Sequence, residues 1–264
     1  MKKNRVLFIG MAAILVGLAL VALPARADVY MKQKVHTGAM KIMGQSQPEK
    51  DMLTVTWLGQ NKARMDQEGG TSTVFLVDKK VLYFIDHNKK QYSEMPLDFD
   101  KMIEQATAGQ TADDPKKAEA MKKMPAFMKN MMKGVTEGMS AKVTDTGEAK
   151  TIGSWKCRKY LIEMNMAMMG KMNSEAWATE DLKVDYSLYF TSANPMMASQ
   201  PGFDKIIAEM KKIKGVVVSQ TGTVSVMGND VTTTTQLLEC EDKAAPAGTY
   251  ELPAGYTKVK GIKG

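Results

Sequence analysis

The sequence predicts an α+β protein: a curved antiparallel sheet, an incomplete β-barrel of about ten strands, with helices over its concave face. Three observations point there. Short apolar runs separated by polar turns occupy the chain from Val29 to Glu94 and again from Val216 to Glu241. Between Asp98 and Val135 the apolar period changes to three and four residues, as on a helix face. Between these regions, Thr151–Met164 joins the turn at Gly153-Ser154 to a run rich in aromatic, branched and long side chains, which suits a half-buried pleated surface.

The chain opens Met1-Lys2-Lys3-Asn4-Arg5, runs apolar from Val6 to Leu23, and reaches Pro24-Ala25-Arg26-Ala27. A basic head, an apolar middle and small residues at the −3 and −1 positions are the marks of a secretory signal peptide cleaved after Ala27. An uncleaved anchor is the alternative, because the apolar run matches the shortest membrane spans. Pro24 and the Ala-x-Ala pattern favour cleavage, and no cysteine follows the run to carry a lipid. The expected product, residues 28–264, is a single domain in the periplasm with no further membrane span. Losing Lys2, Lys3, Arg5 and Arg26 lowers the net charge from +7 to +3, too little to argue for nucleic acid.

In chain order, Val29–Thr37 reads as a strand, followed by a loose connection to Lys50. Asp51–Leu58 alternates, with Leu53, Val55 and Trp57 on one face and Thr54 and Thr56 on the other. Lys62–Gln67, Thr71–Val77, Val81–Asp86 and Gln91–Glu94 continue an antiparallel meander through the turns Glu68-Gly69-Gly70, Asp78-Lys79-Lys80 and Asp86–Lys90. Asp98 is placed to cap a helix to Thr107, and Asp113 or Asp114 ahead of Pro115 to start another. The second carries Ala118, Met121, Met124, Met128, Met131 and Val135 in one stripe, broken or kinked at Pro125. After Lys142–Glu148 and the central strand, Glu175–Ala178 reads as a short strand and 183–191 as a helix. Phe203–Lys212 is a clearer helix, with Phe203, Ile206, Ile207 and Met210 on one face and Gly215 as its stop. Val216–Val226 and Val231–Glu241 form a hairpin, and Pro253 keeps the tail out of any interior strand.

Catalytic signatures are absent from the sequence: it has no phosphate-binding Gly loop, no Gly-x-Ser-x-Gly elbow, no His-Glu-x-x-His and no Cys-x-x-Cys. His36 and His87 read as surface residues near strand ends, so the chain is expected not to be an enzyme and to need no cofactor. The two cysteines, Cys157 and Cys240, suit a disulfide in an oxidising compartment, with buried free thiols as the alternative. The 24 methionines are the outlying signal. They fit adaptable core filler, a repackable lining for an apolar ligand, or thioether ligands for Cu(I). Met121-x-x-Met124, Met128-x-x-Met131 and Met164-x-Met166-x-Met168 have usable metal spacings, but an apolar helical stripe produces the same pattern.

Two sets of residues carry a family resemblance. One is Arg64-Met65-Asp66 with the following strands and Lys89-Lys90-Gln91-Tyr92. The other is Gly153-Ser-Trp-Lys-Cys157-Arg-Lys-Tyr160, with Trp177 downstream and Leu252-Pro-Ala-Gly-Tyr256 near the end. The chain resembles the bacterial envelope family called domain of unknown function 4412, and its strand pattern is similar to that of the Lol-type lipoprotein carriers. The resemblance implies a curved, incompletely closed sheet around an apolar concavity, and it brings no catalytic residues. On that basis the expected function is non-enzymatic binding or carriage of a lipid or acyl chain, with a Met-based copper-handling protein or a structural, partner-binding envelope protein as alternatives. The expected lining is Trp57, Phe75, Leu82, Phe84, Met121, Met124, Phe127, Met128, Met131, Trp155 and Met168.

Overall fold

Twelve of fourteen described strands join in one sheet, and their order follows from short polar turns between long alternating runs. The structure, a computed structural model, describes residues 28–42, 45–98, 101, 126, 138–166, 170–182, 184, 203–226 and 229–260. The strands are β1 (Val29–Thr37), β2 (Met40–Ile42), β3 (Gln45–Gln47), β4 (Lys50–Gly59), β5 (Lys62–Gln67), β6 (Thr71–Leu76), β7 (Val81–Asp86) and β8 (Gln91–Pro96). They continue as β9 (Ser140–Ile152), β10 (Trp155–Met166), β11 (Gly170–Thr179), β12 (Val216–Val226), β13 (Asn229–Asp242) and β14 (Thr257–Lys258), with the helix α1 (Phe203–Met210) before β12. The sheet order is β14-β8-β7-β6-β5-β4-β1-β13-β12-β11-β10-β9, while β2 and β3 make a small separate hairpin.

Two meanders, β4 to β8 and β9 to β13, are therefore joined edge to edge through β1. That strand pairs antiparallel with β4 on one side and β13 on the other. The pairing brings the first and last long strands of the described chain together. The two end strands, β14 and β9, do not pair with each other, so the curved sheet stays open. Only β14 runs parallel to its neighbour, because the chain arrives there by crossing the sheet rather than by a hairpin.

The expected α+β architecture is not what is found. The described chain is mostly β, and α1 is the one helix described end to end. The segments read as Lys142–Glu148 and Glu175–Ala178 are parts of β9 and β11, 13 and 10 residues long. Their flanks carry Thr, Lys, Glu and Asn, which hide the apolar alternation. Such residues are tolerated because one face is solvated and β9 is an edge strand. Of the helices expected at 98–107, from 115 and at 183–191, the described residues include Asp98, Lys101, Ala126 and Val184, and Lys101 N donates to Asp98 Oδ1 at 3.2 Å, as the expected cap requires; the rest of these segments, like the signal peptide, lies outside the described residues.

α1 lies where its apolar stripe predicts. Phe203, Ile206 and Met210 are buried with Tyr160, Ile162, Met164, Ala176 and Val143, and Glu209 Oε2 accepts a hydrogen bond from Val143 N on β9 at 3.0 Å. The helix ends in a turn, and Gly215 (φ +84°) then redirects the chain into β12. No L side chain fits there, because a Cβ would stand 1.8 Å from the Thr179 carbonyl oxygen.

The tail beyond β13 forms a strap. Lys243 N and Ala245 N donate to Asp28, Arg64 Nη1 donates to Thr249 O, and Thr257 N and Val259 N donate to the carbonyls of Lys90 and Tyr92. The chain thus passes from β13 across to the far edge at β8. It covers the sheet face that carries Tyr30, Trp57 and Arg64, which explains how Val74 on that face is fully buried.

Candidate functional site

Side chains of β1 and β4 to β8 alternate between that strapped face and an inner face, and cross-strand register sorts the inner face into rows. The first row is Val29, Leu58, Ala63, Phe75, Leu82 and Met95, apolar in every strand. One step along, the row is Met31, Thr56, Met65, Thr73, Phe84 and Ser93, which is mixed. A further step gives Gln33, Thr54, Gln67, Thr71, Asp86 and Gln91, wholly polar. Successive rows are about 6.6 Å apart, two residues of strand rise. The inner face therefore runs from apolar to polar over roughly 13 Å.

The apolar row is not solvated. It belongs to one core cluster with Leu97, Val216, Val218, Leu237, Cys157 and Trp177, against which Trp155, Ile152, Leu182, Val184, Phe84 and Met95 pack. Four of the expected lining residues are thus gathered: Phe75 and Leu82 are buried, and Phe84 and Trp155 are half-buried at the margin. Met121, Met124, Phe127, Met128, Met131 and Met168 lie outside the described residues.

Trp57 is placed differently. It pairs laterally with Tyr30 and Arg64 on the strapped face, its ring 5.0 Å from that of Tyr30, and Lys243 Nζ sits 3.8 Å above the Tyr30 ring. Alternation in β4 is obeyed but with the faces reversed. Thr54 and Thr56 are turned in, at 5% and 2% exposure, while Leu53 is left out at 37%. The larger apolar set faces outward because the strap and the Tyr30–Trp57 stack cover that side. Within the Met164–Met172 run, Met164 is core under α1 and pairs laterally with Met172.

Nor is the expected Cys157–Cys240 disulfide formed. Both are free thiols. Their strands, β10 and β13, are separated in the sheet by β11 and β12. Three strand spacings put the two backbones about 14 Å apart along the sheet, and a disulfide needs Cα atoms within about 7 Å. Burial pushes the Cys240 thiol up to about 11, with Asp242 and Glu241 adding to it, and burial also raises Cys157.

The strapped face holds a polar relay through His87, which the sequence reading took for an ordinary surface residue. Arg64 Nε donates to Asp66 Oδ1 at 2.7 Å, and Arg64 Nη2 donates to Ser72 Oγ at 3.1 Å. Ser72 Oγ donates to Asp66 Oδ1 and lies 2.6 Å from His87 Nε2, while His87 Nδ1 lies 2.9 Å from the Tyr256 hydroxyl. The single Ser72 proton is committed to Asp66, so in the neutral imidazole Nε2–H donates to Ser72 and Nδ1 accepts from Tyr256. A serine, a histidine and an aspartate do meet here, but in the wrong order for nucleophilic catalysis. The carboxylate holds the serine instead of orienting the imidazole, and Ser72 is only 3% exposed. The relay is a fastening for the strap. Its sequence signal is the joint occurrence of Arg64, Asp66 and Tyr256 in the motif residues quoted above.

No family model matches the chain, and no curated protein matches it. Among solved structures it is similar to a DUF1329 family protein from Desulfovibrio piger ATCC 29098, at 10% identity over 86% of this chain and 90% of that one, with a TM-score of 0.23. That neighbour belongs to domain of unknown function family 1329 rather than 4412, and a likeness this loose carries neither fold nor function across.

Proposed function

We propose that this protein binds an apolar ligand, a lipid or acyl chain, on the inner face of its sheet, does no chemistry on it, and works in the periplasm. The observation that supports the reading is the apolar row Leu58, Ala63, Phe75, Leu82 and Met95 across five consecutive strands of a sheet whose end strands do not pair. Half-buried Phe84 and Trp155 at the margin of the same cluster give a ligand apolar surface to displace or join. The strapped face offers no comparable surface, being closed by aromatic stacking, ion pairs and the relay.

Binding of the fluorescent probe N-phenylnaphthylamine tests the reading. The wild type should enhance its emission at micromolar concentration. Phe84→Glu, which puts a charge at the margin of the apolar cluster, should abolish the enhancement while leaving the far-ultraviolet circular dichroism of the sheet unchanged. A wild-type protein that binds neither the probe nor any acyl compound is not an apolar carrier.

A further inference from the structure

The two edges of the open sheet are closed by different means. At β8 the strap lies alongside as β14, with Thr257 N and Val259 N donating to the carbonyls of Lys90 and Tyr92. At β9 no strand lies alongside among the described residues. An uncovered strand edge is a template for pairing with another chain, and β9 is 13 residues long. We infer that Glu209 of α1 guards this edge against a second copy of the chain. Without that side chain, β9 pairs antiparallel with β9 of the second copy across a twofold axis at Val143.

Three observations carry this. First, the far half of β9 is already spoiled as a template. Residues 146–148 bulge out opposite Lys159, because Asp145 pairs with Tyr160 and Ala149 with Arg158. Within the bulge Gly147 has φ +76°, Gly147 N donates to Asp145 Oδ1 at 2.9 Å, and Glu148 N donates to Thr146 Oγ1 at 3.2 Å. The regular edge is therefore 140–145.

Second, Glu209 stands at the middle of that edge. Val143 N points away from β10 and donates to Glu209 Oε2 at 3.0 Å. Ala141 and Asp145 turn their N–H groups the same way, by the alternation of an antiparallel ladder. The carboxylate is held from both sides: Phe203, Ile206 and Met210 fix α1 on the sheet, and Lys212 Nζ pairs with Glu209 Oε1. Lys212, and after it the Val143 N–H, keep the Glu209 carboxyl below the usual carboxylate range, so the guard is an anion at neutral pH.

Third, the edge behind the guard is self-complementary. With Val143 on a twofold axis, Ala141 faces Asp145 of the second copy and Lys142 faces its Thr144, so no like charges oppose. An axis at Asp145 would set two carboxylates against each other. The Val143 axis, however, brings the Glu209 of both copies to one point. Each carboxylate occupies the N–H that the other copy's carbonyl needs, and the two anions repel. A second copy is thus turned away by the same side chain that it carries.

Sedimentation velocity of wild type and Glu209→Ala over a concentration series tests this. Wild type should stay monomeric, and Glu209→Ala should dimerise with a dissociation constant at least about tenfold lower than any wild-type self-association. In the dimer, hydrogen exchange should slow at Ala141, Val143 and Asp145. A folded Glu209→Ala that stays monomeric overturns the inference, and so does a dimer that leaves those three amides unprotected. A wild type that dimerises as tightly as the variant overturns it too. If Glu209→Ala does not fold, exchange in wild type decides: the guarded Val143 amide should exchange about tenfold more slowly than that of Ala141, and equal rates overturn the guard.

Discussion

His87 Nδ1 and the Tyr256 hydroxyl, 169 residues apart in the chain, meet at 2.9 Å. That contact fastens the C-terminal strap to the turn between β7 and β8. Through Ser72, His87 is joined to Asp66 and Arg64, and Arg64 also donates to Thr249 of the strap. One arginine and one histidine therefore hold the strap at two points. Tyr256→Phe removes one hydroxyl and leaves Nδ1 unpartnered in a part-buried site. It should cost about 1–2 kcal/mol in urea denaturation and speed tryptic cleavage at Lys258 and Lys260, with little change in the sheet.

Gly215 is the joint between α1 and β12. An alanine there meets both an unfavourable φ and the Thr179 carbonyl, a backbone atom that cannot swing aside. Gly215→Ala should destabilise by about 3 kcal/mol or more, well beyond the effect of a change from Gly to Ala at an unstrained position. A denaturation midpoint within error of wild type would mean that the turn is not built this way.

The two faces of β4 to β7 make opposite predictions for two large aromatics. Phe75→Ala empties a fully enclosed site and should cost about 3–5 kcal/mol. Trp57→Ala removes a half-buried ring whose main partner is Tyr30, so its cost should be clearly smaller. Trp57 should also be indifferent to binding of an apolar ligand, whereas a half-buried Trp155 at the cluster margin should report it by a fluorescence change.

The cysteines predict both a count and a pH profile. Titration of unreduced protein in denaturant should find two thiols per chain, both slow to react while the protein is folded. Because folding raises the Cys240 thiol from 9.0 to about 11, the stability held in its protonated form is complete below pH 9. It is lost as the pH rises from there to about 11. Cys240→Ala should flatten that alkaline loss, and equilibrium unfolding at a series of alkaline pH values reads it directly.

Much of the strand set is legible from local pattern. The turns at 68–70, 78–80 and 87–90 carry the Gly, Asp, Asn and Lys residues that positive φ or hairpin geometry asks for, and Asn61, Lys80 and Lys90 do adopt positive φ. The β12–β13 hairpin and α1 follow from alternation and from the 3.6-residue stripe at Phe203, Ile206 and Met210. Local pattern failed where strand length depended on neighbours. β9 and β11 extend through polar residues because a ladder partner supplies the hydrogen bonds that their side chains do not advertise.

Of the candidate site, alternation establishes that Thr54 and Thr56 oppose Val55 and Trp57, but it is symmetric between the two faces of a strand. Which face turns inward depends on what covers the other, and here that is a strap arriving from 190 residues or so further along the chain. The distance between Cys157 and Cys240 is likewise a property of sheet order, since strands that look equivalent in sequence differ by multiples of about 4.8 Å once β11 and β12 stand between them. The relay from Arg64 to Tyr256 has the same origin. Local sequence determines φ, ψ and which side chains share a face, because those act over a few residues. Only the tertiary structure decides which faces meet and which polar atoms find partners, because that depends on contacts closed across the whole chain.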